Sequence, residues 1–195
     1  MFETTQNLLH ESRPGTETTA SRTAEGARDS RYGAPARWLH WLSAAVILWA
    51  LASGLAMAAG TLAPAPKAAV TGFNVAITTA FLPIFLLRIA WALVAPHPGP
   101  LTTARKQRLA ARIGHLALYA TTSVVLVSGV LMMDRPIDLF GLATLPRPLT
   151  DDAWCQWFAG LHRDSCEYLT IFLALHLAAV AWHQLRGRRV LQRML

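Results

Sequence analysis

The sequence predicts an all-α fold, an integral membrane bundle of four helices, from three observations. Its 195 residues are 53% hydrophobic and only 15% charged, with a mean hydropathy of +0.33, too apolar for an ordinary soluble domain of this size. Four separate stretches are apolar over roughly 20 residues, the length that crosses a bilayer at about 1.5 Å per residue. The basic residues behind the net charge of +7 flank those stretches and form no single stripe. They therefore read as topology signals, and no nucleic-acid partner is expected.

Residues 1–30 are rich in Thr, Ser, Glu and Arg. They lack the apolar run of a signal peptide and are expected to be a disordered cytoplasmic tail, with the membrane domain occupying 31–195. The spans are expected near residues 38–59, 73–95, 113–133 and 165–185. GTLAPAPK closes the first, APHPGP the second and DRP the third, since Pro and Gly end helices. A long loop, 134–164, precedes the fourth. Pro83 falls in mid-span and predicts a kink.

Lys and Arg set the orientation. Thirteen lie in the N-terminal tail, in the second loop (Arg105, Lys106, Arg108, Arg112) and in the C-terminal tail (Arg186, Arg188, Arg189, Arg193); four (Lys67, Arg135, Arg147, Arg163) lie in loops one and three. The positive-inside rule puts both termini and loop two in the cytoplasm. Loops one and three then face outside, in a bacterium the periplasm. There Cys155 and Cys166 either form a disulfide or remain free thiols. Trp154, Trp157 and Phe158 suit an aromatic belt at the outer surface.

Of seven histidines, His40, His115, His162, His176 and His183 lie in or at the ends of the apolar spans. An ionisable side chain inside the membrane is a functional candidate by default. His162 and His176 are 14 residues apart, close to four helical turns, so they share a face about 21 Å apart along the axis. That arrangement suits a helix that ligates two stacked haems, each needing a second ligand from another helix. Two neutral imidazoles favour low-spin electron transfer. His40, in RWLHWLSAA, is at the membrane level to partner His176; histidines merely hydrogen-bonded between helices are the alternative. His115 and His183, near the cytoplasmic ends, read as histidines satisfied by water or headgroups. The chain has no CxxCH, so covalent haem attachment is not expected.

At these residues the sequence resembles the bacterial cytochrome b561 family, related to the cytochrome b subunits of formate dehydrogenases and nickel-iron hydrogenases. The resemblance runs through RYGAPARWLHWLSAA, FLLRIAWAL, GHLALYATTSVVLVSGVLMM and LHRDSCEYLTIFLALHLAAVAWHQL followed by VLQRML. It implies a multi-pass protein of the bacterial inner membrane that carries haem b in a four-helix bundle and exchanges electrons with quinone. It also implies that His40 and His176 hold the haem nearer the cytoplasm. The haem nearer the periplasm would need His162 and a His 14 residues before Arg88, but position 74 is Asn. One haem b is the expectation. The outer site is left with three readings: it is empty, it holds a haem on His162 alone, or Met57, Met132 or Met133 supplies a thioether.

Arg88, inside the second span, either neutralises a haem propionate or snorkels to the surface; Arg37 and Arg112 are weaker candidates for the propionate. His115 and Tyr119, one turn apart, have the chemistry to bind a quinone carbonyl and relay its protons, with a packing pair as the alternative. Gly54, Ser128 and Gly129 are small enough to admit a flat macrocycle or a close helix crossing. Two functions compete. The first is a haem b electron carrier in membrane lipid, linked to the quinone pool as an oxidoreductase or electron-transfer subunit. The second is an anchor or accessory subunit assembled with partner subunits of a larger respiratory or photosynthetic complex.

Overall fold

The computed structural model describes residues 32–95, 104–188 and 190–195. The expected tail, 1–30, lies outside them, as does most of APHPGP. Four helices follow one another: α1 (Ala34–Ala58), α2 (Pro64–Val94), α3 (Arg105–Leu131) and α4 (Asp152–Leu185). All four are long and apolar enough to cross a membrane. Pro residues begin α1 and α2, where the missing N–H costs no helical hydrogen bond. Asp151 caps α4 by accepting from the Ala153 N–H at 2.8 Å.

The helices outrun the apolar stretches that reveal them. At 31 residues, α2 is about 46 Å long, well beyond the roughly 30 Å of hydrocarbon. The largest difference from the sequence reading lies before α4. Residues 152–164, expected in a loop, are the first turns of that helix; they are too polar to register as a span but are helical because Asp151 caps them and α4 packs along α3. A short antiparallel hairpin, β1 (Ile137–Leu139) with β2 (Ala143–Leu145), occupies the remaining connection. Its turn places Phe140 and Gly141 at φ +58° and +73°, and the Asp138 carboxylate accepts from the Gly141 N–H at 3.0 Å.

The core is thin, as befits a bundle whose outer face meets lipid. Val46, Phe81, Phe85 and Leu126 form its centre. Where helices cross closely the buried residues are small: Ser43, Thr79, Thr122, Ser128 and Ser165. The Ser43 and Ser128 hydroxyls donate back to Leu39 and Val124 carbonyls, both at 2.5 Å, so neither is orphaned in hydrocarbon. Packing runs in chain order, α1 on α2, α2 on α3 and, most extensively, α3 on α4. Among the described residues neither α1 nor α2 packs closely on α4.

Candidate haem-binding site

Five of the residues singled out in the sequence converge on the half of the bundle that holds the start of α1 and the end of α4. Arg88 of α2 is their hub. Its Nη2 donates to His40 Nδ1 at 3.1 Å, its Nη1 to the carbonyls of Leu39 and His40, both at 3.2 Å, and its Nε to the Tyr119 hydroxyl at 3.3 Å. The guanidinium also lies 5.4 Å from the Tyr119 ring centroid. Arg88 is thus turned inward, its donors satisfied by α1 and α3, instead of reaching for the surface. The carbonyl of Tyr119 accepts from Ser123 Oγ at 2.8 Å.

The His115 and His176 rings are 5.8 Å apart at 60°, so His115 stands beside this cluster, at an exposed position on α3. His40 and His176 stand on α1 and α4, which do not pack closely on each other. On α1, 14 residues beyond His40, a Cβ at Gly54 would meet nothing within 4 Å. Two imidazole-bearing helices that do not pack closely on each other, with the Arg88 cation against one of them, supply the nitrogen donors and the positive charge that suit a dianionic macrocycle.

The opposite half is different. His162 Nδ1 lies 3.0 Å from the Val125 carbonyl and 3.3 Å from Ser128 Oγ. A carbonyl only accepts, so Nδ1 carries the proton and Nε2 is the free lone pair. Cys166 Sγ is the neighbour of that nitrogen, at 3.6 Å. A Cβ at Gly129 would fall 3.0 Å from His162 Cε1, so the His162 ring takes the space that a side chain here would occupy. On α2, Asn74 Oδ1 is buried without a hydrogen-bond partner. One imidazole and one stranded amide do not fit a bis-histidine haem, because an amide oxygen is a poor iron ligand.

The thioethers are engaged elsewhere. Met57 Sδ accepts from Thr71 Oγ1 at 3.1 Å, and Met133 is buried beside Ala76 and Ile137 in a cleft under the hairpin; Met132 ends α3. Cys155 and Cys166 are both free thiols. Eleven residues apart on one straight helix they are about 16 Å apart along its axis, beyond the reach of a disulfide. Of the two alternatives, the disulfide took for a loop a segment that is helical, and the free thiols are what the fold allows.

Arg112 is exposed at the start of α3. Arg37, weighed as a propionate partner, instead donates to the Leu195 carbonyl, and His183 lies in the last turn of α4, where its carbonyl accepts from the Arg188 N–H. Trp41, which the sequence reading did not single out, stands edge-on to His40 with ring centroids 5.5 Å apart. Its only signal in the sequence is adjacency to that histidine.

A four-helix membrane protein with paired intramembrane histidines on unpacked helices defines the class, a membrane b-type cytochrome. The family model for prokaryotic cytochrome b561 matches residues 31–195, and the chain belongs to that family. It is 32% identical over 176 residues to cytochrome b561 homolog 2 of Escherichia coli (strain K12), an alignment covering 85% of this chain and 91% of the relative. Membership carries haem b binding and electron transfer in a multi-pass membrane protein.

Proposed function

We propose that this chain is a single-haem electron carrier of the bacterial inner membrane, holding haem b between His40 and His176 and exchanging electrons with quinone. The carrying observation is that these histidines stand on α1 and α4, which do not pack closely on each other, with Arg88 hydrogen-bonded to His40, whereas the other half offers His162 and an Asn74 Oδ1 without a partner. A haem b bound between His40 and His176 would supply one-electron exchange between ferric and ferrous iron. The chain's own residues do the rest.

His40 and His176 would hold the haem iron through a ring nitrogen. A ligating ring carries its proton on Nδ1, and a guanidinium only donates. With haem bound, Arg88 would give up its contact with His40 Nδ1 and pair with a propionate, an acceptor its fork fits. His115, beside His176, and Tyr119, hydrogen-bonded to Arg88, are the groups with exchangeable protons at the quinone end. Quinone reduction consumes two protons, which these side chains are suited to relay. Residues 31–195 form the cytochrome domain, and the excess of basic residues in the tail, loop two and the C-terminal segment favours cytoplasmic termini.

The test is whether the purified protein shows a low-spin bis-imidazole haem whose reduced form is reoxidised by a water-soluble quinone analogue. His40→Ala should abolish both while the protein still accumulates in the membrane. Unchanged cellular function of His40→Ala would instead support the anchor-subunit role.

A further inference from the structure

The segment after α4 folds back onto the start of α1. Arg186 and Gly187 stop the helix: Gly187 has φ +76°, its N–H donates to the Gln184 carbonyl at 3.1 Å, and the Arg188 N–H donates to the His183 carbonyl at 3.0 Å. This is a Schellman ending, for which glycine is the natural residue. A 3-10 turn, Leu191–Arg193, then carries the chain across the end of the bundle.

Three contacts fasten it to α1. The Arg193 carbonyl accepts from the Tyr32 N–H at 3.1 Å, the Met194 carbonyl from Trp41 Nε1 at 2.7 Å, and the Leu195 carbonyl from Arg37. Arg193 also lies over the Tyr32 ring, 5.8 Å from its centroid. Arg37 and Trp41 are one helical turn apart, on one stripe of α1, and Trp41 is the residue whose ring meets His40 edge-on.

We infer that residues 190–195 are a strap that sets the spacing between His40 and His176, with Trp41 and Arg37 as its positioning residues. The reasoning is mechanical. α1 and α4 bear the two imidazoles yet do not pack closely on each other, so side-chain interlocking does not fix their separation. The strap supplies a direct tether, from the last turn of α4 to the first two turns of α1. It grips α1 beside His40 and within about 14 Å of His176 along α4, at 1.5 Å per residue. A ligand pair held at fixed spacing needs less reorganisation to accept iron, as in any preorganised site. The hydrogen bonds also satisfy an indole N–H and three carbonyls at the end of the bundle.

This inference rests on His40 and His176 being the ligands. Its test uses the full-length protein in detergent, with three variants: Trp41→Phe, which keeps the ring edge but removes the N–H; Trp41→Phe with Arg37→Leu; and Arg188→Leu. The last removes only the Arg188 bond to Gln107 Oε1 on α3, 2.8 Å in length, and so loosens the same end without touching α1. The readouts are the rate of haem transfer to excess apomyoglobin and the g-values of the ferric low-spin haem.

In the double variant, haem should leave at least about fivefold faster, the factor that one net hydrogen bond is worth, with shifted g-values. Arg188→Leu should match the wild type in both. Should the double variant fail to accumulate, Trp41→Phe carries the same two readouts. Wild-type rate and g-values in the strap variants, or equal changes in Arg188→Leu, would overturn the strap. A wild-type protein without a bis-imidazole haem would overturn the ligand assignment and the strap with it.

Discussion

The Arg88 guanidinium meets His40 Nδ1 at 3.1 Å, so a cation inside the second helix is held by the backbone and ring of the first. The contact explains how an arginine is tolerated at that depth, since its donors are satisfied by four acceptors on α1 and α3.

On the proposed reading Arg88 stands beside the haem, where its charge would favour the ferrous state. Arg88→Leu should lower the haem midpoint potential, by on the order of 50 mV for one charge at this range in an intermediate dielectric. Spectroelectrochemical titration reads the shift. An unchanged or raised potential would separate Arg88 from the haem.

The two halves of the bundle should respond oppositely to loss of histidine. His40→Ala and His176→Ala are expected to abolish bound haem, whereas His162→Ala should leave both haem content and the reduced α-band unchanged. Absorbance of the purified variants decides it, and haem loss in His162→Ala would argue for an occupied outer site.

Restoring the second imidazole should restore the second site. Asn74→His gives the unpartnered position a ligand facing the half of the bundle where His162 presents Nε2. Haem per polypeptide should rise from one towards two, with a second wave in the redox titration. No gain would mean that more than one side chain closes the outer half.

Gly129 has a steric role. A Cβ there would lie 3.0 Å from His162 Cε1 and 3.3 Å from its Nδ1, so Gly129→Ala requires the ring, held against the Val125 carbonyl, to give by a few tenths of an ångström. The expected cost is about 1–3 kcal/mol, typical of overpacking, seen as a lower thermal midpoint in detergent with haem content unchanged. A midpoint equal to wild type would show that the ring relaxes freely.

At the quinone end, Tyr119→Phe and His115→Phe should slow reoxidation by a quinone analogue about a hundredfold, the lower end of general acid–base effects, while haem remains bound. Stopped-flow absorbance measures this, and rates within twofold of wild type would remove these residues from proton relay.

Much of this was legible in the sequence because membrane physics is one-dimensional. A bilayer demands runs of apolar residues, so four spans and their intramembrane histidines could be read without any tertiary contact. The meeting of Arg88 with His40 and Tyr119 was not readable, since it depends on how α1, α2 and α3 rotate about their axes. His115 looked like an interfacial histidine because its depth was visible but its facing, towards His176, was not. The first turns of α4 were hidden because hydropathy detects the hydrocarbon-crossing part of a helix and misses its polar extension. The strap left one trace, the glycine at 187, which announces a stop but not where the chain goes next.

The central claim is one haem, held by His40 and His176, in a bundle whose outer site lacks its second imidazole. Haem b per polypeptide, from a pyridine haemochrome spectrum of the purified wild-type protein against its amino-acid content, tests it most directly. The account predicts a ratio near one. A ratio near two would contradict it by showing that His162 has found another axial partner, and a ratio near zero would contradict the carrier itself.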